Sequence, residues 1–163
     1  MAPEEVLVAL GEVAAAFAGF TGVVGALGAR SLSDLPSFVR FRFANLLIVS
    51  VAATLFAFLP VLLAQVDALG RAAWSGSSVS LGVFAVLFFY VRLREGLRLD
   101  RRSIRPRLAL VWMLLLLAVA ASQLVGVVAV PAEGAGALYA SGVFGLLVLS
   151  ALQFVSLALP EGG

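Results

Sequence analysis

Leu108-Ala109-Leu110-Val111-Trp112-Met113-Leu114-Leu115-Leu116-Leu117-Ala118-Val119-Ala120-Ala121-Ser122-Gln123-Leu124-Val125-Gly126-Val127-Val128-Ala129-Val130 runs from a cluster of arginines to a proline without one charged residue. A helix that crosses a bilayer needs roughly 20 mainly apolar residues, with every backbone polar group satisfied inside the segment. This stretch meets that requirement and decides the fold class. Working outward, four more windows of the same kind appear, from about Val6 to Leu27, Phe41 to Val66, Trp74 to Leu93 and Ala137 to Leu159. The third is the shortest in strongly apolar residues, because its outer end, Ser75-Gly76-Ser77-Ser78, is polar. The expected fold is an all-α integral membrane protein with five transmembrane helices (about 6–27, 41–66, 74–93, 108–130 and 137–159), forming a single domain over residues 1–163.

Composition points the same way. Of 163 residues, 63% are hydrophobic and 12% charged, where a soluble domain has about 45–50% apolar and about 25% charged residues. Cysteine, histidine and lysine do not occur. Without them there is no zinc or haem site of the usual kind, no thiol nucleophile, no histidine-based triad and no lysine Schiff base. The chain is read as a non-enzyme with no cofactor and no metal.

Orientation follows from the arginines, because short cytoplasmic loops are enriched in basic residues. Arg92, Arg94, Arg98, Arg101, Arg102, Arg105 and Arg107 crowd the connection between the third and fourth spans, and Arg30, Arg40 and Arg42 flank that between the first and second. Both lie on one side only if the segment between them crosses twice, as five spans require. The N-terminus is therefore expected outside and the C-terminus in the cytoplasm, in a bacterial inner membrane. The outer connections, Asp67 to Arg71 and Pro131 to Gly136, contain one Arg. Trp74 and Tyr139 are expected in the outer aromatic belt, Tyr90 and Trp112 in the inner one. Ala16-Phe17-Ala18 has the small-residue pattern of a signal cleavage site, but the acidic start Met1-Ala2-Pro3-Glu4-Glu5 and Glu12 argue for a retained first span.

The first span, read as Glu12-Val13-Ala14-Ala15-Ala16-Phe17-Ala18-Gly19-Phe20-Thr21-Gly22-Val23-Val24, together with Leu152-Gln153-Phe154-Val155, resembles small bacterial multi-span membrane proteins with a Glu/Ala/Gly-rich first helix. The resemblance implies a membrane fold and brings no activity with it.

At 100° per residue, Gly11, Ala14, Ala15, Ala18, Gly19, Gly22, Gly25 and Ala26 gather on one side of the first helix. A small-residue face lets a second helix approach closely. It serves either packing within the chain or self-association, for which Gly11, Ala15, Ala18, Gly19, Gly22 and Gly25 are the candidates. Glu12 lies at its edge, about two turns inside the outer boundary. An intramembrane acid usually faces a bundle interior or water and marks an ion or proton path; the other reading is an interfacial residue pairing with Arg71. Asn45, Gln123 and Gln153 are amides that need partners in hydrocarbon, met by interhelical hydrogen bonding or by a hydrated path with Glu12. Pro60 should kink the second helix. The arginine linker should attract anionic lipid headgroups at the cytoplasmic face, and nucleic acid is not an expected partner.

These features support a homo-oligomeric permeation protein, an ion channel or simple transporter, with Glu12, Asn45, Gln123 and Gln153 on the path. Two alternatives stand beside it. One is a non-conducting structural or regulatory subunit that packs against a partner in the bilayer. The other is a proton-coupled exporter, similar by analogy to the small multidrug exporters with a membrane glutamate on the first helix, although the span count differs.

Overall fold

A computed structural model describes residues 2–28, 36–65, 70–96, 106–129 and 132–158. They form five helices: α1 (Pro3–Gly28), α2 (Ser37–Ala64), α3 (Gly70–Gly96), α4 (Pro106–Ala129) and α5 (Ala132–Ala158). All five are long and apolar enough to cross a membrane. At about 1.5 Å per residue even the shortest exceeds the roughly 30 Å hydrocarbon core.

Local sequence explains where the helices start. Pro3 and Pro106 occupy first helical positions, where the missing N–H would have no partner in the helix anyway. In the first turn of α1, Glu4 and Glu5 meet the positive end of the helix dipole. Glu5 also accepts a 3.1 Å hydrogen bond from the Ala2 N–H, the reciprocal half of a capping box. The helices extend a few residues beyond the expected spans at several ends, and α5 already begins at Ala132, within the expected outer connection. Ser75 to Ser78 are helical too. Ser77 and Ser78 are buried against neighbouring helices, so these polar residues do not end the span.

The helices alternate in direction. Gly11 of α1 lies against Ala57 and Phe58 of α2 while Gly25 lies against Phe43, a register that only antiparallel neighbours give. Gly142 and Gly145 of α5 meet Gln123 and Val119 of α4 in the same descending order. One end of the bundle gathers Pro3, Trp74 and Gly136. At the other, Arg42 donates to the Ser156 carbonyl in the last turn of α5, and Arg92 stacks over Phe41. The described arginines of both expected inner connections thus share one end.

α5 packs substantially against all four other helices, α1 lies outside it against α2, and α4 pairs chiefly with α3. The core between them is built of Leu7, Val49, Leu81, Leu116, Val143, Leu146 and Leu149, interleaved with Ala14, Ala53, Ala57, Ala85 and Ala120. Alanine and glycine at these crossings let the backbones close together, which is how helices gain packing energy when lipid competes equally for apolar side chains. Leu55, Leu87, Leu117, Leu124 and Val128 point outward and exposed. A soluble protein seldom shows so continuous an apolar surface, whereas a bilayer requires it.

Two aromatic assignments need correction. Tyr139 is fully buried, its hydroxyl donating to the Phe56 carbonyl at 2.6 Å and its ring meeting Trp74 edge-on. Trp112 is buried as well, against Phe88. Each thus spends its ring on an interhelical contact and turns it away from the outer surface of the bundle.

Candidate functional site

The first helix carries two parallel stripes. Leu7, Gly11, Ala14 and Thr21 are buried, with Ala18 and Gly25 half-buried in the same line; this is the face that packs on the bundle. A Cβ on Gly11 would meet the Phe58 ring at 2.9 Å, and one on Gly25 the Phe43 ring at 2.8 Å, so glycine is needed at both crossings. The second stripe, Ala15, Gly19, Gly22 and Ala26, is turned about 100° away and is exposed. Nothing lies within 4 Å of a Cβ on Gly19 or Gly22. The single small-residue face expected from the sequence is thus divided: Gly11, Ala18 and Gly25 serve the chain's own packing, while Ala15, Gly19 and Gly22 are uncovered.

Glu12 stands beside the uncovered stripe. It is exposed, about 14 Å along the axis from Pro3, at the level where Gly11 meets Ala57. No partner is found for its carboxylate among the described residues; the side chain of Arg71 lies outside them.

The three amides sit elsewhere. Gln123 is buried in the half of the bundle nearer Pro3 and Trp74, where its Nε2 donates to the Leu138 carbonyl and to Ser122 Oγ, both at 3.3 Å. Its Oε1 has no hydrogen-bond partner among the described residues. Asn45 is buried one turn from Arg42, with Oδ1 likewise unpartnered among the described residues. Gln153 is half-buried one turn inside Ser156, so it and Asn45 face the same level across the α2–α5 contact. The structure therefore brings Asn45 and Gln153 to one level and keeps Gln123 and Glu12 apart from them, with Glu12 on the outer surface. No group of three or more acids suited to a metal occurs among the described residues.

At the end of the bundle that carries Arg42, Arg92 is largely enclosed, its guanidinium lying over Phe41 and Phe88 at 5.4 and 5.0 Å from the ring centroids and paired with Glu95. Arg94 is exposed and lies over Tyr90. Arg98, Arg101, Arg102 and Arg105, and the side chain of Arg107, fall outside the described residues.

Comparisons with protein-family models, curated proteins and solved structures find no match to this chain.

The sequence reading missed two constellations. The Arg92 stack joins helices that are distant in sequence, and nothing local marks it. The Tyr139 bond was half legible, since Pro60 implies a carbonyl in need of a donor, although not which donor.

Proposed function

We propose that the chain is a small homo-oligomeric permeation protein of a bacterial inner membrane, an ion channel or simple transporter whose subunits meet along α1 with Glu12 on the path. The observation that carries this reading is the alignment of exposed Glu12 with the uncovered stripe of Ala15, Gly19, Gly22 and Ala26. A carboxylate facing lipid at this depth costs several kcal/mol, a cost that falls when neighbouring copies enclose it with water. The small stripe suits close approach of a second helix. Symmetry would then gather several Glu12 side chains into an acidic ring, a common basis of cation selection. Each subunit's interior is filled by the core leucines and valines, so the path runs between subunits. In this arrangement the Pro3 end of α1 faces outward and the arginine-rich end faces the anionic cytoplasmic leaflet.

Reconstituted protein should pass cations in a liposome flux assay, and Glu12→Gln should reduce that flux with the fold intact. Protein that is monomeric in mild detergent and passes no ion overturns the reading. The closed interior favours the alternative, a non-conducting subunit of a larger complex, and a stoichiometric partner that copurifies with flux-inactive protein would support it.

A further inference from the structure

A proline inside a helix leaves the carbonyl four residues earlier without its N–H donor, and in hydrocarbon no water replaces it. In α2 the proline is Pro60 and the carbonyl is that of Phe56. The donor comes from another helix: Tyr139 of α5 gives its phenolic hydrogen to this oxygen at 2.6 Å, from a side chain that is fully buried. We infer that Pro60 and Tyr139 form a latched hinge, which holds the outer segment of α2, Val61 to Ala64, while the phenol stays on Phe56 and lets it swing when the phenol turns away.

Packing on the two sides of Pro60 differs in the way a hinge requires. Each turn leading to Pro60 buries at least one residue, Ala52, Ala53 and Ala57 among them although Leu55 is 66% exposed, whereas beyond the proline none of Val61 to Ala64 is buried and Leu62 is 59% exposed. At the end of α2 the Gln65 N–H reaches the Leu62 carbonyl at 3.3 Å in a tightened turn. The phenol has a second place to go. Ser77 of α3 stands within reach of the phenol, and the Ser77 hydroxyl has no other hydrogen-bond partner among the described residues. Turning from the Phe56 carbonyl to Ser77 Oγ keeps the phenol satisfied, and outward motion of the α2 end opens the released carbonyl to water. The device is thus a two-position switch of one hydrogen bond between α2 and α3.

Amide hydrogen exchange of the full chain in lipid nanodiscs tests this without any flux assay. Tyr139→Phe should speed exchange at residues 61–65 by about fivefold to tenfold, with the inner half of α2 unchanged. Pro60→Ala restores the helical donor to Phe56, so the Pro60→Ala/Tyr139→Phe double variant should return exchange to the natural level or below. Ser77→Ala removes the second position and should slow exchange there. The hinge is overturned if Tyr139→Phe leaves the segment within twofold of the natural protein, if it loosens all helices alike, or if the double variant exchanges as fast as Tyr139→Phe.

Discussion

The amide of Gln123 on α4 lies directly over Gly142 on α5, in the space that a side chain at position 142 would occupy. The absence of a Cβ at 142 is what admits a buried amide at this crossing. With Leu81 of α3 3.0 Å from the same point, a Cβ at 142 has to displace the Gln123 amide from its hydrogen bonds to Leu138 and Ser122. Gly142→Ala should therefore destabilise the protein by about 1–3 kcal/mol, the usual cost of overpacking. Within a single subunit Gly19→Ala, with nothing within 4 Å, should cost nothing and gain a little helix propensity. Thermal unfolding in detergent checks the pair, and equal melting of the two variants would contradict the packing described.

Gln123→Met separates stability from transport. The variant loses two long hydrogen bonds but also removes the unpartnered Oε1, so its stability should change by less than about 1 kcal/mol. Because Gln123 is interior and Glu12 faces outward, flux through an inter-subunit path should persist. A flux lost with stability unchanged would move the path inside the subunit.

Arg92→Lys should not behave as a conservative change. The guanidinium plane lies over Phe41 and Phe88, and a compact ammonium cannot reproduce that stacking. A loss of about 1–2 kcal/mol is expected, against almost none for Arg94→Lys, which is exposed over Tyr90 alone. Paired denaturation curves of the two variants decide it.

Topology can be read by labelling, since the chain has no cysteine of its own. Ala2→Cys and Gln65→Cys, both at exposed helix ends, should react with a membrane-impermeant maleimide in intact cells. Ser37→Cys should react only after permeabilisation. The reverse pattern would invert the orientation drawn from the arginines.

The five helices were legible because length and apolarity are properties of single segments. Their rotation was not. On α1 the residues Ala14 and Ala15 are chemically alike, yet one is buried and the other exposed, because only the position of α2 divides them. Tyr139 and Trp112 read as belt residues for the same reason: an aromatic ring with a polar edge suits a headgroup or a neighbouring helix equally well. The depth of Glu12 could be counted along the chain, but its outward direction required the register set by Gly11 and Gly25.

The hydroxyls of Thr21, Thr54, Ser80, Ser141 and Ser150 all return to carbonyls of their own helices. The side-chain hydrogen bonds of Arg42 to Ser156, Gln123 to Leu138 and Tyr139 to Phe56 cross between helices, and each of the three has an end on α5. α5 follows the other four helices in the chain. During synthesis α1 to α4 can come into contact first, with Arg92 of α3 already able to lie over Phe41 of α2, but these three hydrogen bonds wait for α5, so the order of translation leaves the hydrogen-bonded locking of the bundle to that helix.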